Sequence, residues 1–142
     1  MSGVDINWLA VVLAGLSSIV VGWVWYSRGV FGNTWAKLAK VKMDPNMPMS
    51  AMVQPILLSA LAGLVTAYVL ALAGFVAHQY FQDSFLVDML WTGAWLWLGF
   101  TVARQVTHDA FEQRPNKLTV LVSAHELVTV VVMALILGLM KP

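Results

Sequence analysis

The chain has 142 residues, of which 60% are hydrophobic and only 11% are charged. A soluble domain carries about 25% charged residues, so this composition predicts a protein of the lipid bilayer. The net charge of +1 provides no polybasic face for a nucleic-acid backbone and argues against nucleic acid as a partner. The absence of cysteine excludes disulfides, thiol catalysis and Cys-ligated metal sites, and no motif implies a cofactor.

Four apolar runs predict four transmembrane helices. The first, from Ile6 to Tyr26, is long enough to cross a hydrocarbon core about 30 Å thick at about 1.5 Å per residue. The predicted spans are residues 6–26, 55–77, 85–106 and 118–140. They form one transmembrane domain over residues 1–142, an all-α integral membrane four-helix bundle.

Two connections between the spans contain structure of their own. Residues 27–50 predict a short interfacial helix between spans 1 and 2, capped by Asn33 or Thr34. Asp44-Pro45-Asn46 and Pro48 are expected to stop this helix and leave an irregular approach to span 2, and Pro55 is expected in the first turn of that span. Residues 78–84 predict a polar turn before span 3, which is expected to continue as a helix to residue 113.

Small residues form a ridge on each of the first two spans. The ridge residues are Gly15, Ser18 and Gly22 on span 1 and Ser59, Gly63, Ala67 and Ala71 on span 2. Such ridges let helices approach closely, and an exposed ridge favours self-association. The sequence therefore predicts a homo-oligomer.

The orientation of the chain follows from its basic residues. Of the eight Lys and Arg, all but Lys141 lie in or near the first and third loops. By the positive-inside rule these loops face the cytoplasm. We therefore expect a multi-pass protein of the inner (cytoplasmic) membrane with both termini outside the cytoplasm.

Span 4 contains His125 and Glu126 within an otherwise apolar run. An ionised side chain inside a bilayer costs at least about 2–3 kcal/mol, so a shielding partner is expected. Counting outward from a turn centred on Pro115 places Arg104 level with Glu126 and Gln105 level with His125. Together with the end of span 1, this predicts a polar intramembrane cluster of Tyr26, Arg104, Gln105, His108, His125 and Glu126.

Three functional interpretations remain open for this cluster. An Arg104–Glu126 ion pair would stabilise helix packing in a non-catalytic structural or accessory membrane protein. Proton exchange at Glu126 or His125 would support transport or channel function for a small solute or ion through an oligomer, the interpretation we favour. A metal site would draw on His108, Glu112, His125 and Glu126. No nucleotide-binding, nucleophile-elbow or zinc-protease motif occurs, so no catalytic residue is predicted.

The first helix and loop also carry a family resemblance. Asn7-Trp8, the stretch Gly22 to Tyr26, Trp25-Tyr26-Ser27, Phe31-Gly32 and Trp35 stand in a pattern similar to that of small bacterial four-span membrane proteins called domain of unknown function 1761. The fourth span with His125 also resembles this family. The resemblance implies an integral membrane protein of about this length, and it implies no activity.

Overall fold

The computed structural model describes residues 3–142, and these residues form helices joined by short connections. The helices are α1 (Trp8–Trp25), α2 (Gly32–Ala39), α3 (Met49–Phe81), α4 (Phe85–Leu96), α5 (Ala103–Phe111) and α6 (Asn116–Leu139). A π-helical segment, Trp97–Val102, joins α4 to α5 without a break. We call these six residues the π segment.

Within residues 3–142, four helical runs are long and apolar enough to cross a membrane: α1, α3, the continuous run Phe85–Phe111, and α6. The predicted all-α architecture, with four spans and a short helix between the first two, is confirmed. On α2, Lys37 and Lys40 are exposed whereas Trp35 and Leu38 are partly buried.

The four spans form a closed circle in which each packs against its neighbours along the chain, and α6 packs against α1. Asn7 links the last pair, because its side-chain amide donates to the carbonyl of Met140 at 2.7 Å. Its carbonyl oxygen also accepts from the backbone of Ala10 at 3.1 Å and caps α1. We call this end of the bundle the terminal end, and the opposite end, where α2 lies, the α2 end.

The two small-residue ridges pack against each other inside the chain. A Cβ added at Gly15 would lie 2.9 Å from the Cα of Leu64, and one added at Gly63 would lie 2.7 Å from the carbonyl oxygen of Gly15. These contacts are tighter than side chains tolerate, so both glycines are needed for α1 and α3 to approach. The ridges are therefore used within the monomer, and the homo-oligomer stays a prediction without their support.

Helix α3 is longer than its predicted apolar span. It begins at Met49 after Pro48, whose extended backbone (φ −66°, ψ 146°) precedes the first turn, so Pro55 lies in the helix interior. It also continues to Phe81, which places His78 in the helix rather than in the predicted turn. Apolar length underestimates a helix whose ends extend beyond the hydrocarbon core, because polar residues there still continue the backbone hydrogen bonds.

The predicted cap of α2 is wrong. The helix begins at Gly32, and Phe31 precedes it without a side-chain cap, while Asn33 and Thr34 lie inside the helix. In the preceding turn, Phe31 N–H donates to the Trp25 carbonyl at 3.0 Å and Gly32 N–H donates to the Ser27 carbonyl at 2.9 Å. Backbone carbonyls of the turn thus satisfy the amides of Phe31 and of the first helical residue, Gly32.

Candidate functional site

A cavity of about 990 Å³ lies between α1, the N-terminal half of α3 and α6, toward the α2 end of the bundle. It exists because α3 stands away from the other spans there: residues 49–59 are exposed, and the first buried residue of α3 is Gly63. Most of its lining is apolar, and its polar lining residues are Ser18, Tyr26, Ser27, Arg28, Ser59, Thr66, His125, Glu126 and Thr129.

His125 lies at the back of this cavity, against the end of α1. Its ring centroid is 4.9 Å from that of Tyr26 and 6.0 Å from that of Trp25. The imidazole packs on Gly22, where a Cβ would lie in ordinary contact with Nε2 at 3.6 Å. The side chain of His125 is 12% exposed, so the imidazole is almost enclosed.

Two further aromatic residues support the pair that contacts His125. Phe31 packs on Trp25 at 4.6 Å between centroids, and Trp35 meets Tyr26 edge-on at 5.3 Å. We call Trp25, Tyr26, Phe31 and Trp35 the aromatic shell. It depends on Gly32, since a Cβ there would collide with the Tyr26 carbonyl and lie 2.7 Å from the Ser27 oxygen.

The polar atoms of His125 lack strong partners. Nδ1 lies 3.4 Å from Glu126 Oε1, but it is buried and forms no hydrogen bond to any described residue. Nε2 lies 3.5 Å from the Thr129 hydroxyl, which donates to the His125 carbonyl at 3.0 Å. The side chain of Glu126 is 41% exposed and lines the cavity. An imidazole and a carboxylate therefore lie side by side without being fixed by other groups.

Of the six residues predicted to cluster, the structure brings together Tyr26, His125 and Glu126 and separates the rest. Arg104 and His108 are exposed, and the Gln105 amide donates to Asp109 at 2.9 and 3.0 Å. The predicted ion pair between Arg104 and Glu126 is not formed, since no contact within 4 Å joins these two residues. This part of the prediction is wrong.

The π segment is the physical reason. In an uninterrupted α-helix, positions seven and eleven residues after Trp97 return to its face, because each residue turns the helix by about 100°. Trp97 faces α6, because its indole N–H donates to the Ser123 carbonyl at 2.9 Å. The positions that would share its face are Arg104 and His108, whereas the side chain that contacts α6 belongs to Asp109, which Gln105 joins from within α5. A π turn takes up one extra residue and moves every later side chain by one position. Arg104 is thereby turned away from Glu126.

Asp109 was not predicted as a site residue, yet it is buried with only 3% of its surface exposed. Its carboxylate accepts from Gln105 and, at 2.6 Å, from the Thr119 hydroxyl on α6. The Gln105–Asp109 spacing of four residues is a signal that could have indicated this contact. The trio joins α5 to α6 at the α2 end and involves no cavity-lining residue.

A second unpredicted polar contact lies at the terminal end. His78 Nδ1 on α3 is 2.7 Å from an oxygen of Asp88 on α4, and Asp88 is 3% exposed. The imidazole also meets the Phe85 ring edge-on at 5.2 Å between centroids. This pair ties span 2 to span 3, and the expectation of a solvated turn did not indicate it.

The structure does not assemble the ligand set of the metal interpretation. His108 is exposed, Glu112 pairs with Arg114 at 3.0 Å, and His125 and Glu126 line the cavity apart from both. Within residues 3–142, no group of three or more His, Cys, Asp or Glu is placed to hold a metal ion.

Comparison with known proteins identifies a family without assigning an activity. The family model described as "Protein of unknown function (DUF1761)" matches residues 9–138, nearly the whole chain. No curated protein and no solved structure matches the chain. The chain belongs to the DUF1761 family.

Proposed function

We propose that this member of the DUF1761 family is a proton-linked carrier of a small solute, with the cavity beside Glu126 as its binding site. The supporting observation is the environment of Glu126, a carboxylate within a membrane span that lines a cavity of about 990 Å³. Ionisable groups in spans are costly, and where they line a cavity they characteristically take part in solute or proton pathways.

Proton exchange is assigned to His125 and Glu126 together. Their nearest polar atoms are 3.4 Å apart, and neither side chain is held by a stronger partner among the described residues. A proton on this pair neutralises the carboxylate, and a bound solute that interacts with Glu126 competes with that proton. Solute binding and proton release are coupled in this way.

The proposed pathway needs a second opening. The cavity lies toward the α2 end, whereas tight contacts such as Gly138 on Leu86, together with Asn7 bound to Met140, close the terminal end. In the proposed orientation the α2 end faces the cytoplasm, the termini face outward and the protein lies in the inner membrane. Transport requires these terminal-end contacts to separate, in one chain or at the interface of an oligomer.

Flux through liposomes tests this function. Purified protein is reconstituted into vesicles that contain a pH-sensitive dye, under an imposed potential and an inward gradient of mixed amines, amino acids, sugars and small ions. We expect proton flux above that of protein-free vesicles, lost in Glu126→Gln and retained in Arg104→Gln, which changes an exposed residue outside the cavity. Flux equal to that of empty vesicles, or equal flux in both variants, would reject the proposal.

A structural or accessory role is the second candidate, although its proposed Arg104–Glu126 pair is absent. It is favoured by the closed polar contacts of Asp88 with His78 and of Asp109 with Thr119, which join neighbouring spans without lining the cavity. If Glu126→Gln lowers the thermal stability and leaves flux unchanged, the structural role is the better account.

A further inference from the structure

The cavity contains two groups of opposite charge that do not neutralise each other. Arg28, just beyond the end of α1, and Glu126, on α6, both line it, and no contact within 4 Å joins them. Among residues 3–142, Arg28 has no ion-pair partner within that distance. A ligand of this cavity therefore meets a guanidinium and a carboxylate at separate places.

The two charges lie at different depths. Glu126 follows His125, which packs against Gly22 in the last two turns of α1, whereas Arg28 comes after α1 has ended at Trp25. Arg28 therefore marks the side of the cavity nearer the α2 end. Glu126 marks the deeper side, beside His125, whose ring packs on Tyr26.

Apolar side chains line the space around these charges. The apolar lining comes from three different elements and includes Ile19, Trp23, Met52, Ile56, Val130 and Met133. A ligand that fits such walls needs an apolar body, because burial of apolar surface supplies most of the binding free energy in pockets of this kind.

We infer that the ligand is a small zwitterion with an apolar body, such as an apolar α-amino acid or a short apolar peptide. Its ammonium group lies at Glu126, whose carboxylate accepts charge-assisted hydrogen bonds from it. Its carboxylate lies at Arg28, whose planar guanidinium holds carboxylates with two parallel hydrogen bonds. This inference specifies the solute of the proposed function and uses the same cavity.

Charge complementarity distinguishes the zwitterion from other solutes. A simple cation would bring its charge into a cavity that also contains Arg28, and a simple anion would meet Glu126. An uncharged apolar ligand of the same size would displace water from both charged groups and replace none of their hydrogen bonds. A zwitterion satisfies both groups at once.

Matched probes test the inference by calorimetric binding to the full chain in a non-ionic detergent at pH 6. L-phenylalanine has both charges, phenylalaninamide lacks the carboxylate, and N-acetylphenylalanine lacks the ammonium group. The same three forms of leucyl-phenylalanine provide a larger charge separation. We expect one of the two zwitterions to bind at least about 10-fold more tightly than either derivative, since each derivative loses a charge-assisted contact.

Two variants assign each contact to a residue. Glu126→Gln should weaken the binding of the zwitterion and of the amide alike, by about 10-fold or more, because it removes the carboxylate that binds the ammonium group. Arg28→Gln should abolish the preference for the zwitterion over the amide. Arg104→Gln and Glu112→Gln change exposed groups outside the cavity and should leave all affinities unchanged.

The outcomes separate this inference from the proposed function. The zwitterion inference is overturned if neither zwitterion binds, or if the zwitterions and their derivatives bind equally well. It is also overturned if Arg104→Gln affects binding as much as Arg28→Gln does. Zwitterion binding without proton flux overturns the carrier function and leaves the ligand assignment intact. Proton flux driven by other solutes, with no zwitterion binding, overturns the ligand assignment and leaves the carrier function intact.

Discussion

Acidic residues within the spans fall into two groups according to their partners. Asp88 and Asp109 are each 3% exposed, and each accepts a short hydrogen bond from a neighbouring span. Glu126 is 41% exposed, and among the residues that the structure describes its only ion-pair contact is the long one to His125. Buried carboxylates with good partners hold helices in register, whereas a carboxylate that faces a cavity retains its capacity to bind. This contrast, rather than acidity alone, distinguishes Glu126.

The aromatic shell depends on one glycine, which gives a prediction at the scale of a single residue. Gly32→Ala should lower the free energy of unfolding by about 1–3 kcal/mol, because the new Cβ overlaps the carbonyls of Tyr26 and Ser27. Thermal unfolding in detergent measures the change. Gly29→Ala is the matched control, since a Cβ there meets nothing within 4 Å. Equal stability of the two variants would show that the turn before α2 relaxes freely.

Some of these residue-level features could be predicted from the sequence, and others could not. An ionisable pair in an apolar run indicated His125 and Glu126, and an aromatic residue at the end of span 1 indicated Tyr26. The aromatic shell contacts join residues across a turn whose path depends on backbone hydrogen bonds to the Trp25 and Ser27 carbonyls. Hydrophobic periodicity gives no information about such a path.

At the scale of helices, the sequence predicted the four spans, because a long apolar run has few alternatives in a bilayer. It also placed Arg104 at about the right depth, since Asp109 and Thr119 meet on either side of the same turn. The predicted direction of the Arg104 side chain was wrong, because no residue pattern indicated the π segment. One additional residue within an otherwise regular helix is enough to rotate the side chains of α5 by about 100° around the helix axis.

The π segment leads to an unusual prediction about deletions. Removing Gly99 should cost no more than about 1 kcal/mol, because a regular α-helix then replaces the π turn and keeps Asp109 directed at Thr119. Removing Leu121 from the regular helix α6 should lower the free energy of unfolding by about 3 kcal/mol or more. The deletion rotates the part of the helix before or after it, so that the side chains of that part no longer face their neighbours in the bundle. Thermal unfolding of both deletions provides the comparison.

A second substitution verifies that the contact survives in the shortened chain. Thr119→Val should destabilise the Gly99 deletion as much as it destabilises the parent protein, because the Asp109 carboxylate loses the same donor in both. If Thr119→Val has no effect in the deletion background, or if removing Gly99 is as harmful as removing Leu121, the π segment is not a single-residue insertion that a regular helix can replace.

For the molecule as a whole, the sequence indicated a polar cluster but not the cavity. The cavity is formed by residues from α1, the α1–α2 turn, α3 and α6, and it depends on the way the first half of α3 stands away from the bundle. Helix divergence of this kind arises from the balance of packing along the whole length of α3. Gly63, where close packing begins, is visible in the sequence only as a small residue in a ridge that was assigned to self-association.

Orientation in the membrane can be measured directly because the chain contains no cysteine. Lys37→Cys on α2 and Lys141→Cys beyond α6 each create a single thiol at an exposed position. With a membrane-impermeant maleimide applied to intact cells, we expect labelling of the Lys141→Cys protein and protection of the Lys37→Cys protein until the cells are lysed, as the positive-inside rule requires. The opposite pattern would invert the proposed orientation and place the cavity on the outer side.

The hydrogen bond from Asn7 to Met140 has a consequence for how the bundle is connected. Spatial order around the four spans is the same as their order along the chain, and the fourth contact, between α6 and α1, closes the circle without a covalent link. The bundle is in this sense cyclic, and its native contacts do not depend on which connection is left open. A permuted chain, with residues near Asn7 and Met140 linked and the loop between α2 and α3 cut, would keep every pair of neighbouring spans. The N-terminus of the permuted chain would lie in the former loop between α2 and α3. Such a chain would therefore have to insert with its N-terminus on the side of the membrane opposite to that of the parent chain.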